Sequence, residues 1–279
     1  KALHHIFAEV IDNSMDEAVA GHASFIEVEM TDDGFIKVTD NGRGIPVGMH
    51  PKFKNKSALE VILTTLHAGG KFSGESYETS GGLHGVGVSV TNALSETLEA
   101  EVALGGVLYR QLYKRGVRQG PLKAVQKGIK KRGTSIRFIP DKQIFGPDAK
   151  FEAERVFRMT KAKAYLFGGV EIRWSCDKSL IKGTDVPEKD TFHFENGLRD
   201  YLATNIEKRT RVHKDIFAGK SEKKSGHGAV EWAVAWIADE DGFVNSYCNT
   251  IPTPDGGTHE TGLRTALLKS MKDYADRTG

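Results

Sequence analysis

The order in which periodic segments follow one another constrains this chain most. Leu3, Ile6, Phe7, Val10, Ile11, Met15 and Val19 recur at three- and four-residue spacing, the mark of an amphipathic helix over the first twenty residues. Gly21 stands where a glycine commonly closes a helix. Two alternating runs follow, Ile26–Met30 and Phe35–Asp40, joined by Thr31-Asp32-Asp33-Gly34, which predicts a β-hairpin. Ser57-Ala58-Leu59-Glu60 is a capping box opening a helix to about His67. A glycine-rich stretch from Gly69 to Gly87 leads to a short helix over 88–94, and strands are expected over 96–104, 108–114 and 134–139. Phe151–Phe167 reads as a helix with Glu152 and Glu154 in its first turn, where the helix dipole favours acids, and Glu171–Ser175 as a strand. Helices and mixed strands without regular βαβ alternation specify an α+β sandwich and argue against a doubly wound parallel sheet.

From Ser179 to Asp190 the composition turns polar, which places a domain boundary there and divides the chain into 1–187 and 188–279. Beyond it, 194–206 reads as a helix, 229–238 as a strand with Val230, Trp232, Val234 and Trp236 on one face, and Gly262–Ala275 as a closing helix. No internal repeat is visible. A net charge of +2 does not discriminate among partners, but the stretch from Arg110 to Arg132 holds nine Lys or Arg residues and no acid. A solvated hairpin accounts for such a run, and so does a basic surface close to nucleic acid. Cys176 and Cys248 lie far apart with no Cys or His at metal spacing, so neither a disulfide framework nor a zinc site is expected, and a reducing cytoplasm fits. No apolar run approaches a membrane span and no signal peptide is present. The chain opens directly into a helix and stops just after one, as a fragment of something longer would.

Four segments carry chemistry. Glu9 and Asn13 stand four apart on one helix and share a face, with Asp16 a further turn along. Beside a phosphate, such a carboxylate can orient and deprotonate water, and the amide oxygen can ligate Mg²⁺, which prefers hard oxygen donors; taken alone, the set reads more plainly as a polar face in solvent. The second segment is Asp40-Asn41-Gly42-Arg43-Gly44-Ile45-Pro46, directly after a strand. Its glycines allow the backbone close to a flat ligand, and Asp40 can accept from an exocyclic amine such as that of adenine; an ordinary Asn-Gly turn is the plainer reading. The third runs from Ala68-Gly69-Gly70-Lys71-Phe72 to Ser80-Gly81-Gly82-Leu83-His84-Gly85-Val86-Gly87-Val88, with six glycines flanking a lysine-bearing loop that feeds a helix. Backbone N–H groups there suit phosphate oxygens, Lys71 adds a charge, and glycine at both ends is what a closing lid requires. The fourth is Arg132-Gly133-Thr134-Ser135, where Thr134 could offer a hydroxyl to a purine. No Walker P-loop occurs, and Gly82–Gly87 does not close a Rossmann unit.

In this order the four segments resemble the GHKL ATPase superfamily, which includes gyrase B, the ninety-kilodalton heat-shock chaperones, histidine kinases and MutL. Leu3-His4-His5, Glu9–Ala18, His67–Phe72, Gly81–Asn92 and Gly256-Gly257-Thr258-His259 are similar, more narrowly, to the B subunits of bacterial type II topoisomerases. Ala229–Ala233 and Lys161–Ala164 resemble the topoisomerase IV type (ParE) more than gyrase B. The resemblance implies a Bergerat-type ATP-binding α/β sandwich followed by the start of a ribosomal-protein-like transducer domain, with ATP and Mg²⁺ as cofactors. It makes Glu9 the general base and Asn13 the Mg²⁺ ligand. It sets Asp40 on adenine with Asp16, Arg43, Gly44, Ile45, Pro46 and Thr134 about it. Lys71, also a catalytic candidate, and the backbone of Leu83, His84, Gly85, Val86 and Gly87 hold the phosphates. It further implies a ParC-like A-type subunit, self-dimerisation on ATP binding, DNA in the holoenzyme, and no membrane. The family's dimer-closing arm would precede Lys1 and its transducer lysine would follow Gly279, so this fragment is expected to bind nucleotide, stay monomeric and turn over slowly. A GHKL chaperone or mismatch-repair clamp is the alternative from another class, and a pure nucleotide sensor a third.

Overall fold

The computed structural model describes residues 2–53, 55–66, 87–222, 228–238, 242–248 and 250–279. Helix α1 spans Ala2–Val19 and buries Ile6, Phe7, Val10, Ile11 and Met15. It stops in a Schellman turn: Gly21 takes φ of 75° while His22 N–H donates to the Glu17 carbonyl and Gly21 N–H to that of Ala18. Strands β1 (Phe25–Met30) and β2 (Ile36–Asp40) form the expected hairpin, paired antiparallel with Val28 opposite Val38. Helix α2 (Ala58–Thr64) forms only half of its capping box. The Ser57 hydroxyl accepts from Glu60 N–H at 3.1 Å, but the Glu60 carboxylate turns away to Arg118 at 2.9 Å. Next come α3 (Gly87–Ala93), β3 (Ser95–Leu104), β4 (Val107–Lys114), β5 (Val117–Arg118), β6 (Lys123–Lys127) and β7 (Gly133–Pro140). Helices α4 (Lys142–Phe145) and α5 (Ala153–Leu166) then lead to β8 (Glu171–Cys176) and β9 (Lys189–His193).

These nine strands make one sheet in the order β5-β4-β3-β7-β2-β1-β8-β9, with β6 also on the edge of β4. All its pairings are antiparallel except the parallel β1–β8 contact. One face is apolar: Ile26, Val28, Ile36, Val38, Leu98, Ala100, Ile136, Phe138 and Ile172 pack against α1, α3 and α5 in a single core. Glu27, Lys37, Glu99, Glu101, Arg137 and Arg173 alternate with them and face solvent, giving the two-layer α+β sandwich. Within the basic run, Arg110 pairs with Glu99 and Glu101, Arg115 with Asp141 and Arg118 with Glu60, while Arg132 donates to the carbonyls of Asn41 and His22. Lys123 and Lys127 stand exposed on β6, where edge lysines discourage strand addition. This is a hairpin braced to its own domain.

The remaining elements are α6 (Leu198–Asn205), the β10–β11 hairpin (Phe217–Glu222 with Ala229–Val234), the short pair β12 (Tyr247–Cys248) and β13 (Ile251–Pro252), and α7 (Thr258–Thr278). The strand expected over 229–238 ends at Val234, and Val230 on its apolar row is 54% exposed. The closing helix runs longer than 262–275 and carries no buried residue. Strands β5, β6, β9 and β10 have no counterpart among the sequence expectations: β5 is two residues long, and β6 and β9 lie on sheet margins where alternation is weak.

Candidate active site

Helix α1, the end of β2 and the start of β7 converge on one buried carboxylate. Asp40 is only 5% exposed. Its oxygens accept from Ser14 Oγ at 3.1 Å, Gly42 N–H at 2.9 Å and Thr134 N–H at 3.3 Å. Burial raises its pKa, and those three donors oppose the shift without cancelling it. The Thr134 hydroxyl accepts from Ile45 N–H at 3.1 Å, so it holds the second segment against β7. Gly133, with φ of 120°, lies so close that a Cβ there would stand 1.9 Å from the Asp40 carbonyl oxygen. The glycine before Thr134 is therefore what lets β7 run against the end of β2.

A second point of convergence lies on α1. Asn13 Nδ2 donates to the Glu9 carbonyl at 3.0 Å, which fixes the side chain and leaves the amide oxygen with no donor among the described residues. A Cβ on Gly87, the first residue of α3, would fall 1.8 Å from Glu9 Oε2. The absence of a side chain at Gly87 thus creates the space in which the Glu9 carboxylate sits. Asp16 is buried farther along the helix, 7% exposed. Through these contacts α1, the segment after β2 and the start of β7 meet around Asp40, while Gly87 abuts Glu9 on the same helix α1. Pro46 is exposed at the end of the turn.

Arg43 is tied to helix α1 through Glu17. Its guanidinium and backbone N–H both reach Glu17, with Nη2 2.7 Å from Oε1 and N–H 3.1 Å from Oε2. Burial works to raise the Glu17 carboxyl, but the Arg43 hydrogen bonds outweigh it and leave the pKa lowered. Asn41 is likewise structural: its Oδ1 accepts from Ser24 N–H at 2.8 Å and Phe25 N–H at 3.2 Å, capping the start of β1. Sequence reading misses Ser14, Glu17 and Gly133. Gly133 has a visible signal, a glycine immediately before the candidate threonine, whereas Ser14 and Glu17 acquire partners only through tertiary contact. Lys71, Leu83, His84, Gly85 and Val86, the whole phosphate-side expectation apart from Gly87, lie outside the described residues.

The donor set is compatible with Mg²⁺. No group of three His, Cys, Asp or Glu side chains able to hold a metal ion occurs among the described residues. A lone amide oxygen beside a carboxylate matches Mg²⁺, which takes one or two protein oxygens and completes its shell with phosphate and water. A separate groove of about 590 Å³ opens on the charged sheet face between Glu27, Lys37, Arg173 and Asp190. It shares no residue with this site, and the convergence of side chains, not the size of that groove, locates the chemistry. Among the described residues no helix is long and apolar enough to cross a membrane.

The chain is similar along its length to known proteins. The family described as histidine kinase-, DNA gyrase B-, and HSP90-like ATPase matches residues 1–144, and that described as DNA gyrase B matches 197–279. The B subunit of DNA topoisomerase 4 from Bartonella bacilliformis is 52% identical over 280 residues, covering 100% of this chain and 40% of that protein. Its counterpart from Caulobacter vibrioides is 55% identical over 283 residues, covering 100% and 40%. The B subunit of DNA gyrase from Thermotoga maritima is 42% identical over 282 residues, covering 99% and 43%. The chain thus spans about 40% of the length of the first relatives. Among solved structures, the 43K ATPase domain of Thermus thermophilus gyrase B, in complex with an aminocoumarin, superposes with a TM-score of 0.79 at 33% identity, over 99% of this chain and 68% of that one. The topoisomerase IV ATP-binding domain of Francisella tularensis, bound to a small-molecule inhibitor, gives 0.73 at 36% identity over 99% and 70%. The chain belongs to the histidine kinase-, DNA gyrase B- and HSP90-like ATPase family, on the branch of the bacterial type II topoisomerase B subunits.

Proposed function

We propose that this chain is the nucleotide-binding and hydrolysing part of a topoisomerase IV B subunit; since β9 (Lys189–His193) completes the nine-stranded sheet, the boundary read at 187 moves past His193, with the ATP-binding domain before it and part of the transducer after it. The observation that carries the reading is the Glu9 carboxylate held in the space left by Gly87, one helical turn from Asn13, whose amide oxygen meets no donor among the described residues. Glu9 takes a proton from the attacking water. Asn13 contributes an oxygen to Mg²⁺, which supplies charge neutralisation on the phosphates when bound. Asp40, buried and already accepting three hydrogen bonds, presents its remaining acceptor capacity to the adenine amine. Asp16, Gly44, Ile45, Pro46 and Thr134 shape that corner, while Lys71 and the 83–87 backbone hold the phosphates. Partners are an A-type subunit, a second copy of the B-type chain on ATP binding, and DNA, in the cytoplasm.

Glu9→Gln in the full-length protein tests the assignment: hydrolysis should fall by about 10³-fold, in the range of a lost general base compounded with misoriented water, while ATP still binds. Hydrolysis at the unsubstituted rate would refute it. The higher identity to topoisomerase 4 relatives than to the Thermotoga gyrase favours topoisomerase IV. ATP-dependent decatenation without negative supercoiling, on pairing with an A-type subunit, is the expected result; supercoiling would assign the chain to gyrase instead.

A further inference from the structure

Lys163 is a buried cation that the ATP site does not use. It lies on α5, which packs between α1 and α6. Its side chain is 8% exposed, and its Nζ stands 2.6 Å from Asp12 Oδ1 on α1. The same Nζ donates to Thr250 Oγ1 at 2.9 Å, in the turn between β12 and β13. Thr250 takes φ of 68°, an uncommon conformation for a β-branched residue. A second contact reinforces the first: Tyr165, farther along α5, hydrogen-bonds Tyr247 of β12 and stacks on Tyr201 of α6 at 3.6 Å. Asp12 is the residue before Asn13, on the same turn of α1 that carries Glu9.

We infer that Lys163 is a positioning residue linking the β12–β13 turn to the helix that carries Glu9 and Asn13, so that movement of the C-terminal segment shifts the hydrolytic groups. This rests on the ATPase reading above. An ammonium has three donors and a small, strongly hydrated charge, so a buried one holds its acceptors in fixed directions. Removing a partner leaves Asp12 without its counter-charge in a partly buried place, and α1 must then rotate or take in water. Groups 1 Å out of place cost large factors in rate while the ligand's other contacts survive, so the effect belongs on kcat and not on KM.

The test uses the full-length protein with Thr250→Val, Thr250→Ser and Lys163→Met. Thr250→Val should lower kcat for ATP about threefold with KM changed less than twofold, in the range of coupling carried by one hydrogen bond. Thr250→Ser should restore it. Adding Thr250→Val to Lys163→Met should bring no further loss, because the hydroxyl acts through the ammonium. Hydrogen exchange of the 9–16 amides, read without any turnover, should quicken in Thr250→Val and return in Thr250→Ser. Unchanged kcat and unchanged exchange with a lowered Tm would show a purely structural contact and overturn the inference, as would losses that multiply in the double variant. If the unsubstituted protein hydrolyses no ATP, the ATPase reading fails, and the exchange measurement alone decides the link.

Discussion

Replacing Gly87 by alanine should silence hydrolysis while leaving the fold intact. The added Cβ would stand 1.8 Å from Glu9 Oε2, 2.8 Å from its carboxyl carbon and 3.0 Å from its Cβ. Ordinary contact between such atoms begins near ~3.3 Å, so the carboxylate has to retreat by about 1.5 Å. That atom is the far end of a flexible side chain, and moving it off its rotamer costs only about 0.5–1.5 kcal/mol. Gly87 opens α3, so alanine returns less than the ~1 kcal/mol of a helix interior, and the 3.0 Å approach to Glu9 Cβ must also open slightly; the net loss should be about 1–2 kcal/mol, a fall in Tm of roughly 2–8 °C with the fold retained. Activity has no such compensation. A reacting group displaced by more than ~1 Å costs about 100-fold, so kcat for ATP should fall at least that far. Steady-state hydrolysis at saturating ATP on the full-length protein, with thermal unfolding of the same samples, measures both quantities. The double variant Gly87→Ala/Glu9→Gln should be no slower than Glu9→Gln alone, since both act through one carboxylate. A Gly87→Ala protein that keeps kcat within threefold would refute the placement of Glu9 against α3. So would a double variant slower than either parent.

Other outcomes follow from the same corner. Gly133→Ala combines a positive φ of 120° with a clash against backbone, so it should cost more than ~2 kcal/mol in a urea titration, unlike Gly87→Ala. Asp40→Asn should weaken ATP binding roughly tenfold or more through the lost charge-assisted acceptor, measured by calorimetry. It should also alter pH dependence: burial raises the Asp40 pKa, so the folded state holds that proton more tightly, and ionising it removes stability as pH rises above the ordinary carboxylate range. The urea midpoint of Asp40→Asn relative to the unsubstituted protein should therefore rise with pH across that window. His4 has the opposite sign. Burial, then the nearby Arg155, lowers its pKa to about 4, and its Nε2 accepts from Glu152 N–H at 3.1 Å. The neutral ring's contribution is fully present above the unfolded value near 6.5 and is lost as pH falls toward 4, roughly 3 kcal/mol in all. His4→Gln, which keeps an acceptor, should flatten that slope.

The helices and strands legible in the sequence are those with one buried face. Helix α1 shows its stripe because Phe7, Val10 and Ile11 all reach the core, and β1 and β2 alternate because only one side of the sheet is covered. Strand β6 is exposed at every position, so no alternation could announce it. The Glu60 half of the capping box misleads for a related reason: the local pattern invites the carboxylate back to its own helix, and Arg118, fifty-eight residues away, offers a stronger charged partner. The ion pair of Arg43 with Glu17, one helical turn beyond Asn13, is invisible in the sequence because the two residues stand twenty-six positions apart. Residues that carry chemistry are legible as types and spacings; those that hold them in place become visible only once the chain is folded.

The Schellman turn at Gly21 has a mechanical consequence. Glu17 supplies its carbonyl to that turn, accepting from His22 and Ala23, and its carboxylate to Arg43 in the loop after β2. Arg132 then reaches from the start of β7 to the carbonyls of His22 and Asn41. Three chain segments are thereby riveted at one corner before any ligand arrives. A ligand seated there would meet a wall already set, so ordering that wall would add little to the entropy lost on binding.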